Sequence, residues 1–456
     1  MSSGSPPQRH GKGDGEEGAS ASGTRLGGRR TDYPSSSRQR SADVVWPEHF
    51  VESVAAHVAD DAARSSGRLA AAPAVVAMFQ VCPTWRAVAR SEFFWQILCR
   101  RIWFRRRRSL PSWREEYIHF HRTAANFRAG RYVYSSILPP PSVGLSCCRL
   151  ALSDRHLAAG FLDGSVRLYD VPACRLVATF RADPHRDRLG RFSQAISGLV
   201  LLDDRLAFAS QDGDVHVAEL GCSGSLPRRA LVGNLVVDGT MVDFAGNARW
   251  WVGLFAGAPE HSWHVWDAAT ELLVFVGGGL MDPAAVVGWH MLTDVLKPVV
   301  GRVRILEQGV VVGCTASSME VLDLNGVTGT ILNQSELRHG ALVGSFDACH
   351  GRVMVVDLRG MAEVREVPAL TDVSQFTALR QSELQQGTLS VEGCMNWGYA
   401  LVCTSRGVQV WDSITGQYLY VFRQRIGIAS AMVASNRYVV AWTNDTGLHL
   451  WDFGAL

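Results

Sequence analysis

Seven times after residue 130 the chain repeats one layout: an apolar strand, a turn, then a strand of alternating residues closing on an acidic side chain, often after an aromatic one. Leu157-Ala-Ala-Gly passes through Asp163-Gly164 to Val166-Arg-Leu-Tyr-Asp170, and Leu206-Ala-Phe-Ala passes through Asp212-Gly213 to Val215-His-Val-Ala-Glu219. Further copies end at Trp266-Asp267, Leu322-Asp323, Arg365-Glu366, Trp411-Asp412 and Trp451-Asp452. Successive endpoints lie 49, 48, 56, 43, 46 and 40 residues apart.

A period of roughly 40–45 residues with a terminal Trp-Asp is the mark of WD-type blades, each a four-stranded antiparallel sheet stacked face to face on its neighbours. The fold expected is therefore mainly β, a seven-bladed WD-type β-propeller over residues 131–456. The Asp-Gly pairs suit tight hairpins, which need a residue that tolerates positive φ. Only four residues follow Asp452, so the last blade needs a fourth strand from elsewhere. Arg131-Tyr-Val-Tyr-Ser-Ser-Ile137 has strand composition and is expected beside residues 448–452, tying the first blade to the last.

Upstream the character changes. Residues 1–42 are rich in Ser, Gly, Arg and Pro with Leu26 the lone large aliphatic, a composition that cannot offset the entropy of ordering and reads as a disordered tail. From Asp43, Phe50, Val54 and Val58 repeat every four residues as one helical face; Val81, Trp85 and Val88 give a second face, and Trp95, Leu98 and Ile102 a third. An Ala-rich stretch from Leu69 to Ala77 is interrupted at Pro73, and Trp113, Tyr117, Phe120, Ala124 and Phe127 mark a helix ending near Gly130. The domain reading is a helical unit at 43–104 and a linker helix at 105–130 before the propeller. The net charge of +2 hides a split between +9 over residues 1–131 and −7 beyond. No apolar run approaches the roughly 18 residues of a spanning helix, and no secretory signal opens the chain, so an intracellular, non-membrane protein is expected. Ten cysteines without a Cys-x-x-Cys pair point to buried thiols rather than disulfides or a zinc module.

The helical unit resembles an F-box, the module that docks on a SKP-type adaptor. The resemblance rests on Trp46-Pro47-Glu48, Phe50 and Val54, on Val81-Cys82-Pro-Thr-Trp85-Arg86-Ala-Val88, and on Phe94-Trp95-Gln-Ile-Leu98. Trp46 replaces the usual first Leu, and the middle is about ten residues longer through Ala55–Ala72. It implies adaptor contacts at Trp46, Pro47, Phe50, Val54, Val81, Cys82, Trp85, Trp95 and Leu98. From about residue 43 onward the chain resembles the Sterile Apetala-like plant F-box and WD-repeat transcriptional regulators. The strings that carry this are Val45-Trp-Pro-Glu48, Ala125-Asn-Phe127, Arg249-Trp-Trp-Val-Gly-Leu-Phe-Ala-Gly257 and Leu450-Trp-Asp-Phe-Gly-Ala-Leu456. The resemblance implies a nuclear protein of flower and organ development. It would be the substrate receptor of a cullin-based ubiquitin ligase, contacting adaptor and cullin through the F-box and transcriptional regulators through the propeller. The alternative is a non-catalytic transcriptional cofactor that recruits no ligase.

Candidate substrate contacts are Arg181, Arg186, Arg188 and Arg191, clustered in one loop of an otherwise acidic domain, since arginine clusters recognise carboxylates and phosphates. They pair equally well with Asp183 and Asp187 of the same loop. Trp289 sits in an insertion read as a helix starting at Asp282-Pro283, and Trp250-Trp251 sits on a strand with one ring expected inward and one outward. The run Arg100 to Arg108 reads as a solvated helix end, a nuclear-import signal or a nucleic-acid contact. No zinc finger, basic zipper or helix-turn-helix pattern supports direct DNA binding. His119-Phe-His121 lacks metalloprotease spacing and no Gly-x-Ser-x-Gly occurs, so neither catalysis nor a cofactor or metal is expected. The only lysines are Lys12 and Lys297, a scarcity that suits a receptor held beside active ubiquitin and equally suits codon bias.

Overall fold

The computed structural model describes residues 46–137, 146–181, 194–221, 226–281, 301–306, 309–326, 329–337, 342–379 and 391–455. It is mainly β, in a propeller-like arrangement preceded by a few helices. The described helices are α1 (Glu48–Ser66), α2 (Ala71–Phe79), α3 (Pro83–Ala87), α4 (Glu92–Ile102) and α5 (Trp113–Ala129). Pro73 does not break the Ala-rich stretch. It lies in the first turn of α2, where a missing N–H leaves no intrahelical bond unmade. Ser91 and Ser112 cap α4 and α5 by accepting from Phe94 N (3.3 Å) and Glu115 N (3.1 Å), and left-handed Gly130 (φ 65°) ends α5.

The strands follow as β1 (Val133–Ile137), β2–β5 (Cys147–Leu152, His156–Phe161, Ser165–Asp170, Arg175–Arg181), β6–β9 (Ile196–Leu201, Arg205–Ser210, Val215–Glu219, Arg228–Leu231) and β10–β13 (Thr240–Gly246, Trp250–Ala256, Trp263–Asp267, Leu273–Gly277). They continue as β14–β17 (Gly301–Ile305, Val310–Thr315, Ser318–Asp323, Thr330–Glu336), β18–β21 (Val343–Cys349, Arg352–Asp357, Met361–Glu366, Thr371–Thr377), β22–β25 (Glu392–Met395, Tyr399–Thr404, Gly407–Asp412, Tyr418–Val421) and β26–β28 (Ala431–Ala434, Tyr438–Thr443, Gly447–Asp452). Among the described residues these form five four-stranded sheets and one of eight strands, in which β10 joins β6 through the single parallel pair Phe244–Gly198. Contacts between the first strands run from β2 to β6, β10, β14, β18, β22, β26 and back to β2, so the cycle closes.

The recurring acidic endpoints have a local cause. Asp170, Asp267, Asp323 and Asp412 each accept hydrogen bonds from backbone N–H groups two or three residues on, at Ala173, Ala269 and Thr270, Asn325, and Ile414 and Thr415. These Asx turns fix the corners between strands. Gly164 (φ 76°) and Gly213 (φ 88°) fill the positive-φ positions of the hairpins anticipated for Asp-Gly.

β1 completes the last sheet as expected, pairing antiparallel with β28 from Val133–Asp452 to Ile137–Leu448. The Tyr134 hydroxyl and His449 Nδ1, 2.8 Å apart, reinforce the seam. One expectation fails: Trp250 and Trp251 are both buried, at 8% and 0% exposure. Successive strand residues face opposite sides of the sheet, and here both sides are covered. Trp251 packs with Val200, Phe244 and Phe255, while Trp250 packs with Val252, Leu254 and Val311.

Candidate protein-docking surfaces

α1 has two apolar faces of different character. Val51, Ala55 and Ala59 point into the helical core, whereas Phe50 and Val58 are exposed and Val54 half-buried four residues apart along the outside. Exposed Trp46 extends that outer stripe, stacking on Phe50 with ring centroids 5.0 Å apart. The inner face is built mostly of small alanines, which let α2 and α4 approach closely. An outward row of large apolar side chains in water is the arrangement expected of a surface that another protein covers.

The remaining residues of the F-box resemblance divide by depth. Pro47 and Val81 are exposed, and Cys82 and Trp85 are half-buried. Trp95 and Leu98 are interior, at 8% and 0% exposure, with Trp95 Nε1 donating to Ala89 O at 2.8 Å. Trp95 packs against Phe79, Phe94 and Tyr117, so these two positions hold the unit together from within instead of facing a partner. Sequence reasoning passed over Val76 on α2 and Phe93 on α4, which are 52% and 59% exposed. An apolar residue offset from the core-facing periodicity was the available signal.

α5 joins this unit to the ring. Tyr117 belongs to the helical core, while Phe127 sits in the core of the last two sheets, stacked on Tyr399 (4.6 Å) and Phe453 (4.1 Å). Asn126 Nδ2 donates to Phe453 O at 3.0 Å, and the Tyr420 hydroxyl donates to Phe127 O. A second contact sets Phe104 on Trp397 (4.2 Å), with the Arg68 guanidinium 4.3 Å from the same indole. Within the basic run, Arg105 bonds Asp154 at 2.7 Å and Arg108 lies 3.5 Å from Glu92.

In the ring, charged side chains from different first strands converge. Asp243 of β10 accepts from Arg149 Nε of β2 (3.0 Å) and lies 3.4 Å from Arg304 of β14, whose Nε donates to Asp347 of β18 at 2.8 Å. Glu392 of β22 belongs to the same electrostatic group: burial pushes its carboxyl up to about 7, opposed by Arg302, Arg149 and Arg304. Burial likewise lowers the Arg302 guanidinium to about 10, with Arg149 adding repulsion. This network bridges sheets and reads as structural.

Of the proposed substrate contacts, Arg181 is exposed at the end of β5, 3.4 Å from Asp163. Arg186, Arg188, Arg191 and Trp289 lie outside the described residues. A groove of about 800 Å³ not anticipated from sequence is lined by Arg406, Arg423, Arg425, Trp411 and Tyr418. Three guanidinium groups beside aromatic rings suit an acidic segment of a bound protein.

Transcriptional regulator STERILE APETALA of Arabidopsis thaliana is 46% identical over 433 residues, covering 93% of this chain and 95% of that protein. The chain belongs to the Sterile Apetala family. No family model matches the chain. Among solved structures, the computationally designed Ika8 protein is similar over 70% of this chain and 99% of its own, at 16% identity and a TM-score of 0.45. The family match spans both the helices and the ring, so the joint made by Phe127 falls within the kind of protein the relative represents.

Proposed function

We propose that this Sterile Apetala family protein is a nuclear, non-catalytic substrate receptor of a cullin-based ubiquitin ligase. The helical unit docks a SKP-type adaptor, which brings the cullin, and the propeller holds transcriptional regulators for ubiquitination during flower and organ development. The observation that carries this reading is the outward apolar stripe Trp46, Phe50, Val54 and Val58 on a unit clamped to the ring. A rigid joint suits a receptor, because catalysis in the partner enzyme depends on the effective concentration of substrate lysines near it. The name of the Arabidopsis relative supports action on transcription, and hence residence in the nucleus.

The ring is read as seven-bladed. The closed cycle of first strands supports this count, with the eight-stranded sheet taken as two blades joined by the one pair Phe244–Gly198. The unit boundaries are proposed at 43–104, 105–130 and 131–456, α5 acting as the linker. The arginine-lined groove beside Trp411 is the proposed seat for substrate among the described residues.

The relative's name also favours a second reading, a transcriptional cofactor that recruits no ligase. Co-expression with a SKP-type adaptor separates the two. Retention of adaptor by wild type and its loss on Phe50→Asp supports the receptor; transcriptional activity undisturbed by Phe50→Asp, with no adaptor retained by wild type, supports the cofactor.

A further inference from the structure

Asp238, His261 and His264 each offer a ligand atom within 4.8 Å of the others, although no sequence spacing announces them. His264 stands on β12 with only 4% exposure, its ring stacked on Phe255 (4.2 Å) and flanked by Trp266 (5.7 Å). Its Nε2 is buried without a hydrogen-bond partner and lies 4.0 Å from Asp238 Oδ1, beyond hydrogen-bonding reach. His261 Nδ1 is likewise buried and unpaired. Two orphaned imidazole nitrogens beside one carboxylate require an explanation in a fold that pairs its buried polar groups.

The surroundings hold all three residues in place. Ser262, between the two histidines, is fully buried and anchored on both sides. Its backbone N donates to Gly278 O at 3.1 Å, its carbonyl accepts from Phe255 N at 2.8 Å, and its Oγ accepts from Met281 N at 2.8 Å. Asp238 closes a turn in which its own N donates to Asn234 O at 2.8 Å. The next residue, Gly239 (φ 79°), lies so near β11 that a Cβ would fall 2.2 Å from Ala256 O. The turn is thereby pressed onto the sheet edge with its carboxylate toward the imidazoles.

We propose that Asp238, His261 and His264 bind a divalent transition-metal ion, Zn²⁺ by donor set, as a clip between the turn before β10 and the loop before β12. Two neutral imidazoles and a carboxylate are nitrogen and oxygen donors that borderline Zn²⁺ takes, and three protein ligands leave a fourth position for water. Zn–N and Zn–O distances of about 2.0–2.2 Å place tetrahedral ligand atoms about 3.3 Å apart, so the side chains close by about 1 Å on binding. The site is independent of any adaptor or substrate docking.

The test uses the purified full chain stripped with chelator. Zn²⁺ titration by calorimetry is expected to show one equivalent bound, with a rise in melting temperature. Co²⁺ is expected to give the visible bands of a four-coordinate ion without thiolate charge transfer. Asp238→Asn, nearly isosteric and partly exposed, and His261→Ala each reduce affinity at least tenfold while circular dichroism stays unchanged. No binding by wild type overturns the proposal, as does equal affinity in both variants. A thiolate-to-cobalt band overturns it too, because the ion then sits on cysteines.

Discussion

Replacing Phe127 with Ala removes the side chain that locks α5 into the ring. Phe127 is 1% exposed and loses two stacked partners at once, Tyr399 and Phe453. Truncating a buried Phe costs about 3–5 kcal/mol, of which each aromatic pair contributes about 0.5–1.5 kcal/mol beyond the area buried. Phe127→Leu keeps most of the apolar volume and forfeits the stacking, so its cost is about 1–2 kcal/mol. Urea unfolding followed by tryptophan fluorescence ranks the three proteins. Hydrogen exchange at Gly130 and Arg131, whose backbone amides donate to Phe127 O and Asn126 O, reports the joint itself. An Ala variant within about 1 kcal/mol of wild type would refute the claim that α5 is clamped by this contact.

Two further perturbations probe the ring. Glu392 has its pKa raised from 4.5 to about 7 in the folded chain, so the fold binds that proton more tightly than the unfolded state does. Its contribution is therefore full below about 4.5 and is lost as pH rises through 7, an effect of at most about 3 kcal/mol. The stability of Glu392→Gln relative to wild type should rise between pH 5 and 8, and a difference that stays flat across that range contradicts the argument. Gly198→Ala puts a Cβ 2.1 Å from Phe244 O, backbone against backbone at the junction of β6 and β10, and should destabilise by about 3 kcal/mol or more in denaturant titration. Gly398→Ala meets nothing within 4 Å and is the matched control, expected within about 0.5 kcal/mol of wild type.

What could be read from the sequence was whatever is local. The aromatic-Asp endpoints are legible because each Asp serves its own turn, as Asp267 serves Ala269 and Thr270. The closing strand is legible because the last sheet is one strand short and Val133–Ile137 has the composition to fill it. The face Phe50, Val54, Val58 was legible as a face, but not its direction: the core-facing row Val51, Ala55, Ala59 is mostly too small to stand out in a hydropathy pattern. Trp250 misled because period-two alternation assumes one wet side, and a sheet stacked on both sides has none. The Arg149–Asp243–Arg304–Asp347 network and the Asp238–His261–His264 trio were not legible. Their members are distant in sequence or irregularly spaced, and only strand pairing and ring closure bring them together.

The binding constant of the full chain for a purified SKP-type adaptor, measured beside Phe50→Asp and Val54→Asp, bears most directly on the proposed role. If the stripe on α1 is the docking surface, wild type binds and each charged variant loses at least about 2 kcal/mol, a drop of about thirtyfold, with the helical fold intact by circular dichroism. Absence of adaptor binding by wild type, or affinity indifferent to both substitutions, would contradict it.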